Sequence, residues 1–186
     1  MNSPFVQRLY FENIKSLIDS CFSIVNKNTN EHPAASTRLK PLNPQNFSQG
    51  EYFSIQQAST DNNWQMIKDW APSNDVPARE GFVHVPILKA TVPGSTLSLS
   101  FKGNAIGIAI VSGPDAGNIY YSIDGSKEKK IDLYTQWSSS LYLPWYLLLG
   151  SGLKSGTHKL KIRIASSKNV LSKGTTCEIV HFLVNK

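Results

Sequence analysis

The feature that most constrains this chain is a series of short strand-like segments separated by turn-forming residues. Thr96–Phe101 alternates apolar and polar residues, as does a strand with one buried face. Ala105–Val111 places isoleucine on one face and alanine or glycine on the other, which indicates close cover of both faces. Asp124 and Gly125 form a hairpin-turn signal because both tolerate positive φ. About eight such segments, with turn signals about every ten residues, predict a mainly β protein built as an antiparallel β-sandwich.

The other predicted strands share this apolar patterning, and their bounds are Tyr52–Ile55, Gly81–Leu88, Ile119–Ile123, Lys129–Tyr134, His158–Ala165 and Thr176–Val184. We expect the Gly81–Leu88 strand to be broken or to end near Pro86. Asp61–Trp70 is expected to be irregular or a short helical turn, with Trp64 and Trp70 available to plug the core.

One amphipathic helix is predicted before the sandwich. Ser3 and Pro4 supply a cap and a first-turn proline, and apolar residues recur at helical spacing from Phe5 to Phe22. We expect this stripe to pack on the sandwich or to pair with a second copy as a homodimer. Residues 26–46 are rich in Asn and Pro. The predicted organisation is therefore a helix over 1–25, a linker over 26–46 and a β-sandwich over 47–186.

The charge pattern bears on the class of partner. The net charge is +6, and much of it lies on His158–Ile164, where basic and apolar residues alternate. We interpret this pattern as a solvated strand face rather than a nucleic-acid site, because aromatic residues are not interleaved with the basic ones. No apolar run approaches the roughly 18 residues of a membrane span. The chain opens without the pattern of a signal peptide.

Recognisable catalytic and metal-binding motifs are missing from the sequence. It holds no GxSxG, HExxH, phosphate-loop or dinucleotide pattern, so we expect no cofactor, no metal and no catalytic residue. Cys21 and Cys177 are either two small buried residues or a single bridge from helix to strand. His181 fits a core or interface residue better than a base. His84, in GFVHVP, is the better candidate for an exposed polar contact.

The aromatic stretch Ile131–Tyr146 is the strongest functional signal, and it is expected to form a loop. Five of its rings fall within thirteen residues: Tyr134, Trp137, Tyr142, Trp145 and Tyr146. At least two should plug the core, and the rest form either a sugar-stacking platform or a docking face. The candidate ligand-binding residues are Trp137, Trp145, Tyr134, Tyr142, Asp132 and His84. Asp132 either orients the loop by accepting backbone N–H groups or accepts a ligand hydroxyl.

Three segments carry a resemblance to a known family; they read GNAIGIAIVSGPDAGNIYYSIDG, IDLYTQWSSSLYLPWYLLL and GTTCEIVHFLVN. From about Phe47 to Asn185 the chain resembles the jelly-roll β-sandwich module that accompanies bacterial SGNH/GDSL-type esterases, which are acyl or carbohydrate esterases. NSPFVQRLYFENIKSLI is similar to the last helix of the SGNH catalytic domain. The resemblance implies a jelly-roll-like sandwich preceded by one catalytic-domain helix. It also implies a parent protein that is secreted or periplasmic.

The same resemblance implies that this chain lacks the family's catalytic machinery. On this register Met1 occupies the place of the catalytic histidine, and the nucleophile and oxyanion blocks map onto no residue here. The chain is then expected to be a non-catalytic accessory module that binds glycan or acylated polysaccharide through the aromatic stretch. The alternative is a docking module that packs on a separate SGNH catalytic domain and shapes its active site.

Overall fold

The structure is a computed structural model that describes residues 12, 14–21 and 47–186. The chain divides into two compact units, Met1–Leu42 and Asn43–Lys186. In the first unit, residues 12 and 14–21 are helical and exposed. The remainder of the predicted helix, and the predicted linker over 26–46, lie outside the described residues. Among those that are described, no helix combines the length and apolarity needed to span a membrane.

The second unit consists of β-strands joined by turns. Within residues 47–186 the strands are β1 (Gly50–Phe53), β2 (Ser59–Thr60), β3 (Trp64–Ile67), β4 (Ile87–Ala90), β5 (Thr96–Lys102), β6 (Ala105–Ser112), β7 (Asn118–Ile123), β8 (Lys129–Asp132), β9 (Leu143–Gly150), β10 (Thr157–Ile164) and β11 (Cys177–Asn185). A one-turn 3₁₀ helix, Ile55–Gln57, follows β1.

The strands form two antiparallel sheets. Sheet A has the order β3-β4-β11-β6-β9, with β1 also paired to β11, and sheet B has the order β2-β5-β10-β7-β8. From β4 onward the chain passes repeatedly from one sheet to the other, with only β7 and β8 adjacent in both sequence and sheet. This is the jelly-roll-like antiparallel sandwich that the sequence predicts.

The main core lies between the sheets, and a second apolar cluster covers part of the outer face of sheet A. Ile106, Ile108 and Ile110 of β6 are fully buried in the main core. Ala109, on the opposite face of β6, is also fully buried, beneath the second cluster. That cluster includes Trp70 from the segment between β3 and β4. The expected close cover on both faces of this strand is therefore confirmed.

The predicted Asp124-Gly125 hairpin turn and the predicted burial of two tryptophans are both confirmed. Asp124 and Gly125 adopt positive φ angles of 53° and 71°, which are the angles of a tight hairpin turn. Trp64 and Trp70 are buried, one in each apolar cluster. The sequence therefore identifies both the hairpin and the tryptophan plugs.

Two segments before β5 differ from their predicted structure. The expected strand Gly81–Leu88 is mostly turn, and only Ile87–Ala90 joins the sheet. Gly81 and His84 have positive φ, which breaks the extended backbone before Pro86. The segment Asp61–Trp70, expected to be irregular or helical, contains strand β3, which pairs with β4.

The aromatic stretch is also not the continuous loop that was expected. Its second half begins strand β9, which lies at the edge of sheet A and pairs with β6. Pro144 is compatible with this position because an edge strand tolerates a missing N–H donor. Trp145, Leu147 and Leu149 alternate inward onto the main core. This period-two pattern was the signal for a strand.

The cysteines differ from both sequence interpretations. Cys177 is buried, as expected for a small core residue, whereas Cys21 is exposed. Both are free thiols. Burial raises the pKa of Cys177, so its thiol stays protonated and inert.

Candidate functional site

The site is centred on two tryptophan rings that come from different elements. Trp137 lies in the loop after β8, and Trp145 lies on β9. Their ring centroids are 5.9 Å apart with an angle of 58° between the planes. Trp145 is half-buried against the main core, whereas Trp137 is 47% exposed. An anchored ring therefore supports an exposed one.

The loop that carries Trp137 is held by a network centred on Ser138. The buried Ser138 Oγ lies 2.7 Å from Ser112 Oγ and accepts a 2.9 Å bond from Thr135 N. Ser112 Oγ in turn donates to the Leu133 carbonyl at 2.6 Å. The Trp137 amide donates to Thr135 Oγ1 at 3.3 Å. Because these bonds fix the backbone on both sides of Trp137, its exposed ring is preorganised.

Asp132 has both carboxylate oxygens engaged at the start of this loop. Oδ1 accepts from Tyr134 N at 2.9 Å, and Oδ2 accepts from Asn169 Nδ2 at 2.7 Å. The first bond is an Asx turn, which orients the backbone leaving β8. The second ties that turn to the loop before β11. Of the two interpretations of Asp132, this geometry matches loop orientation.

Tyr134 packs mainly against protein. Its ring contacts the main core. Its hydroxyl is buried and makes no hydrogen bond to the part of the chain that the structure describes. Leaving such a group unsatisfied costs about 1–3 kcal/mol. Because this oxygen is buried, the ring of Tyr134 belongs to the core rather than to the exposed surface of Trp137.

Tyr142 belongs to the second cluster rather than to the tryptophan pair. It is only 6% exposed and meets Trp70 edge-on at 5.5 Å between centroids. Asn74 Nδ2 donates to its hydroxyl at 3.0 Å. Gly113 must be glycine, since a Cβ there would lie 2.1 Å from the tyrosine ring. Tyr142 thus joins the segment between β3 and β4 (residues 68–86), called the covering segment below, to sheet A.

His84 is exposed and lies on that same covering segment. Its Nδ1 is 2.9 Å from Asp69 Oδ1, and its backbone N–H donates to the Trp70 carbonyl at 2.7 Å. Among the described residues, no hydrogen bond or ring contact joins it to Trp137 or Trp145. The structure thus brings the two tryptophans together and ties Asp132 to Tyr134, but it places Tyr142 and His84 elsewhere.

The buried Glu178 links the covering segment to β11. Glu178 on β11 accepts from Trp70 Nε1 at 3.0 Å and from Lys89 Nζ at 2.7 Å. Burial raises the pKa of the Glu178 carboxyl, although the neighbouring ammonium opposes that shift. Glu178 therefore has a structural role, because its partners Trp70 and Lys89 are core or strand residues. Among the described residues, no group of His, Cys, Asp and Glu is arranged to hold a metal ion.

Sequence reasoning missed a second aromatic surface, on the outer face of sheet A. Tyr52 is 64% exposed and stacks on His181 at 4.7 Å, and Tyr146 meets Phe82 at 5.8 Å. Burial lowers the pKa of His181, so the ring is neutral near neutral pH. From the sequence, His181 was interpreted as a core or interface residue rather than as a catalytic base.

A groove of about 470 Å³ continues this surface, with Phe47, Tyr52 and Leu148 along its sides and Gly107 and Leu183 across the sheet. Phe47 and Leu148 are exposed. Outward alternation of Tyr146 and Leu148 on β9 was the signal that would have revealed it.

Comparisons with known proteins show which solved structures have a similar fold. No family model and no curated protein matches the sequence. Among solved structures, the chain is similar to a two-domain esterase active on acetylated mannans, co-crystallised with mannopentaose. The TM-score is 0.57 with 14% identity over 92% of this chain and 44% of that chain. A second structure of a two-domain esterase active on acetylated mannans gives a TM-score of 0.56 with 14% identity over 92% of this chain and 46% of that chain.

A family two carbohydrate esterase from Cellvibrio japonicus is a more distant match, with a TM-score of 0.43 and 18% identity over 73% of this chain and 34% of that chain. This chain therefore spans less than half the length of the esterases it resembles. It shares its β-sandwich fold with part of a two-domain esterase.

Proposed function

We propose that this chain is a non-catalytic accessory module that binds a neutral glycan on the Trp137–Trp145 pair. The observation that carries the proposal is the half-exposed indole of Trp137, braced by Trp145 at 5.9 Å and by the Ser138 network. The apolar face of a sugar ring packs well on such an aromatic surface. A ring already held in place loses little entropy on binding, which favours affinity.

The structural comparison also supports an accessory role. The chain has the fold of part of a two-domain esterase active on acetylated mannans and spans 44% of that chain. An acetylated or deacetylated mannan is therefore the first ligand class to test, with mannopentaose as the small probe.

Affinity electrophoresis tests the proposal. The protein is run through gels that contain acetylated mannan, deacetylated mannan, xylan or a soluble cellulose derivative. We expect at least one polysaccharide to retard the native chain and Trp137→Ala to abolish the retardation. Tyr52→Ala is the matched control, because it removes an exposed ring of the other aromatic surface, and it should run like the native chain. Retardation that survives Trp137→Ala but is lost in Tyr52→Ala would refute the assignment.

A second candidate function, docking on a catalytic domain, is favoured by the apolar groove on sheet A. Tyr52 and Leu148 leave most of their side chains exposed beside it, and interfaces are enriched in such aromatic and apolar contacts. The occupant would be an SGNH-type esterase domain, since the esterase of similar fold carries more than half of its chain outside the matched part.

Docking has its own test. The chain is mixed with a separately expressed SGNH catalytic domain from the same organism, and the molar mass is measured by light scattering. Leu148→Lys should abolish a complex formed through the groove, whereas Trp137→Ala should leave it intact. No complex with the native chain, or a complex unaffected by Leu148→Lys, would exclude this surface as the docking site.

A further inference from the structure

The outer face of sheet B carries a groove of about 460 Å³ that the tryptophan site does not use. Its floor includes Lys161 on β10, placed between Ser98 of β5 and Ser122 of β7 by the strand register. Lys161 points outward because its neighbours Leu160 and Ile162 are buried in the main core. Strands lie about 4.8 Å apart, so a hydroxyl flanks the lysine on each side.

The carboxylates beside this groove are already engaged. Asp61 accepts from the Thr96 amide and hydroxyl and from Asn63 N at 3.0 Å. These bonds outweigh burial and hold the pKa of Asp61 below its usual value. Asp61 therefore stays ionised but keeps little capacity to pair with a lysine.

Glu128 on the other side forms a two-point ion pair with Arg163. The Arg163 guanidinium also lies 4.6 Å from the centre of the Tyr120 ring. The charges of Glu128 and Arg163 therefore neutralise each other. In contrast, Lys161 forms no ion pair with any residue in 12, 14–21 or 47–186. Its ammonium is therefore free to pair with a ligand carboxylate, on the side of the groove away from the ionised Asp61, whose oxygens are occupied by the bonds just described.

The two flanking serines are available as well. Both serines line the groove, although Ser122 is only 8% exposed. Neither hydroxyl makes a hydrogen bond to the part of the chain that the structure describes, so each keeps its donor and acceptor for a ligand hydroxyl that enters the groove. Nucleic acid would need several phosphate contacts and aromatic faces for its bases. A single ammonium between two hydroxyls is matched to a ligand with one carboxylate and several hydroxyl groups.

We propose that this groove is a second saccharide site, specific for a uronic acid, with Lys161 pairing the carboxylate and Ser98 and Ser122 bonding the ring hydroxyls. The site lies on sheet B, whereas the tryptophan pair belongs to the loop after β8 and to the edge of sheet A. The inference therefore stands or falls independently of the neutral-glycan site. A module with both sites would bind polysaccharides that mix neutral and acidic sugars.

Calorimetric titration with tetragalacturonate tests the proposal, with neutral galactotetraose as the matched ligand. We expect binding of the acidic tetramer only, and its affinity should fall as salt is raised from about 50 mM. Lys161→Gln should weaken binding about tenfold, the effect of losing one charged hydrogen-bonded contact. Ser122→Ala should weaken it by a smaller factor. Lys168→Gln, which removes an exposed lysine of another loop, should have no effect.

Further controls separate this site from the alternatives. Trp137→Ala should leave the affinity for tetragalacturonate unchanged, and a loss there would mean that one site binds both classes of sugar. Equal binding of short duplex DNA, lost in the same Lys161→Gln variant, would identify a general polyanion surface and overturn the uronate assignment. No heat of binding with the native chain, or full binding by Lys161→Gln, would also overturn it.

Discussion

Trp145 supports Trp137 at 5.9 Å between ring centroids, although the two residues come from an edge strand and from the loop that precedes it. One ring is held by the core and the other remains half-exposed. This arrangement is what a rigid stacking surface requires. It also explains why the aromatic residues of one stretch should respond differently to substitution.

Truncation of an exposed ring should lower stability much less than truncation of a buried ring. Trp137→Ala should change the free energy of unfolding by no more than about 1 kcal/mol, because its ring is largely surface. Tyr142→Ala should cost about 3–5 kcal/mol, because it empties a site in the second cluster. Urea denaturation of both variants measures this. Equal destabilisation by the two changes would mean that Trp137 is also core.

The Ser138 hydroxyl should control the order of the Trp137 loop. Ser138→Ala removes the acceptor for Thr135 N and leaves the buried Ser112 hydroxyl with fewer partners, at a cost of about 1–3 kcal/mol. Ser139→Ala, an exposed neighbour, is the control and should be silent. The readout is the fluorescence anisotropy decay of a variant that keeps Trp137 as its single tryptophan. Unchanged mobility of Trp137 in Ser138→Ala would show that the network does not hold the loop.

The sequence predicts the sandwich well because alternation and turn chemistry are local. Thr96–Phe101 and Asp124-Gly125 carry those signals in adjacent residues. The prediction fails where the conformation of a segment depends on a partner that is distant in sequence. The edge position of β9, which permits Pro144, depends on pairing with β6, and the path of 81–86 depends on positive φ at His84.

Site prediction has the same limit. Trp137 and Trp145, chosen for their ring size and their proximity in sequence, lie beside each other in the structure, and their role in binding stays a prediction. Tyr142 is close to them in sequence, but the bend into β9 turns it toward Trp70 instead. The groove around Lys161 joins residues more than 35 positions apart, so no local motif marks it.

Stability should depend on pH through His158 and Asp124. His158 Nδ1 lies 2.6 Å from Asp124 Oδ2, and Nε2 lies 2.7 Å from the Lys154 carbonyl. Both partners are acceptors, so the ring is held as an imidazolium. The bonds to Asp124 and then to Lys154 raise the pKa of His158 above 6.5. The bond from His158 and then that from Lys159 N lower the pKa of Asp124 below 3.8.

The histidine contribution is therefore complete below about pH 6.5 and is lost as pH rises through the folded-state pKa. The aspartate contribution is present above about pH 3.8 and is lost as pH falls through its lowered pKa. Denaturation at pH 5 and pH 8 should show that His158→Gln loses more stability, relative to the native chain, at pH 5. A difference that is the same at both pH values would contradict this charge assignment.

The isolated chain should not hydrolyse esters. A serine hydrolase needs a nucleophile with a base beside it, and the best-buried serine pair, Ser112 and Ser138, bonds to other hydroxyls and to backbone groups rather than to an imidazole. Incubation with an activated acetyl ester should give only the background rate. A saturable rate that Ser138→Ala abolishes would disprove the non-catalytic role.

The most direct test of glycan binding uses the four tryptophans of this chain. Each indole N–H gives its own signal in a proton–nitrogen NMR spectrum, and Trp64 and Trp70 are buried internal controls. Neutral pentasaccharides of mannose, glucose and xylose are titrated in turn, and the signals are assigned by single Trp→Phe variants. We predict that at least one sugar shifts the Trp137 and Trp145 signals in a saturable way and leaves Trp64 and Trp70 in place. If no sugar moves Trp137, or if all four signals move together, the tryptophan pair is not the binding site.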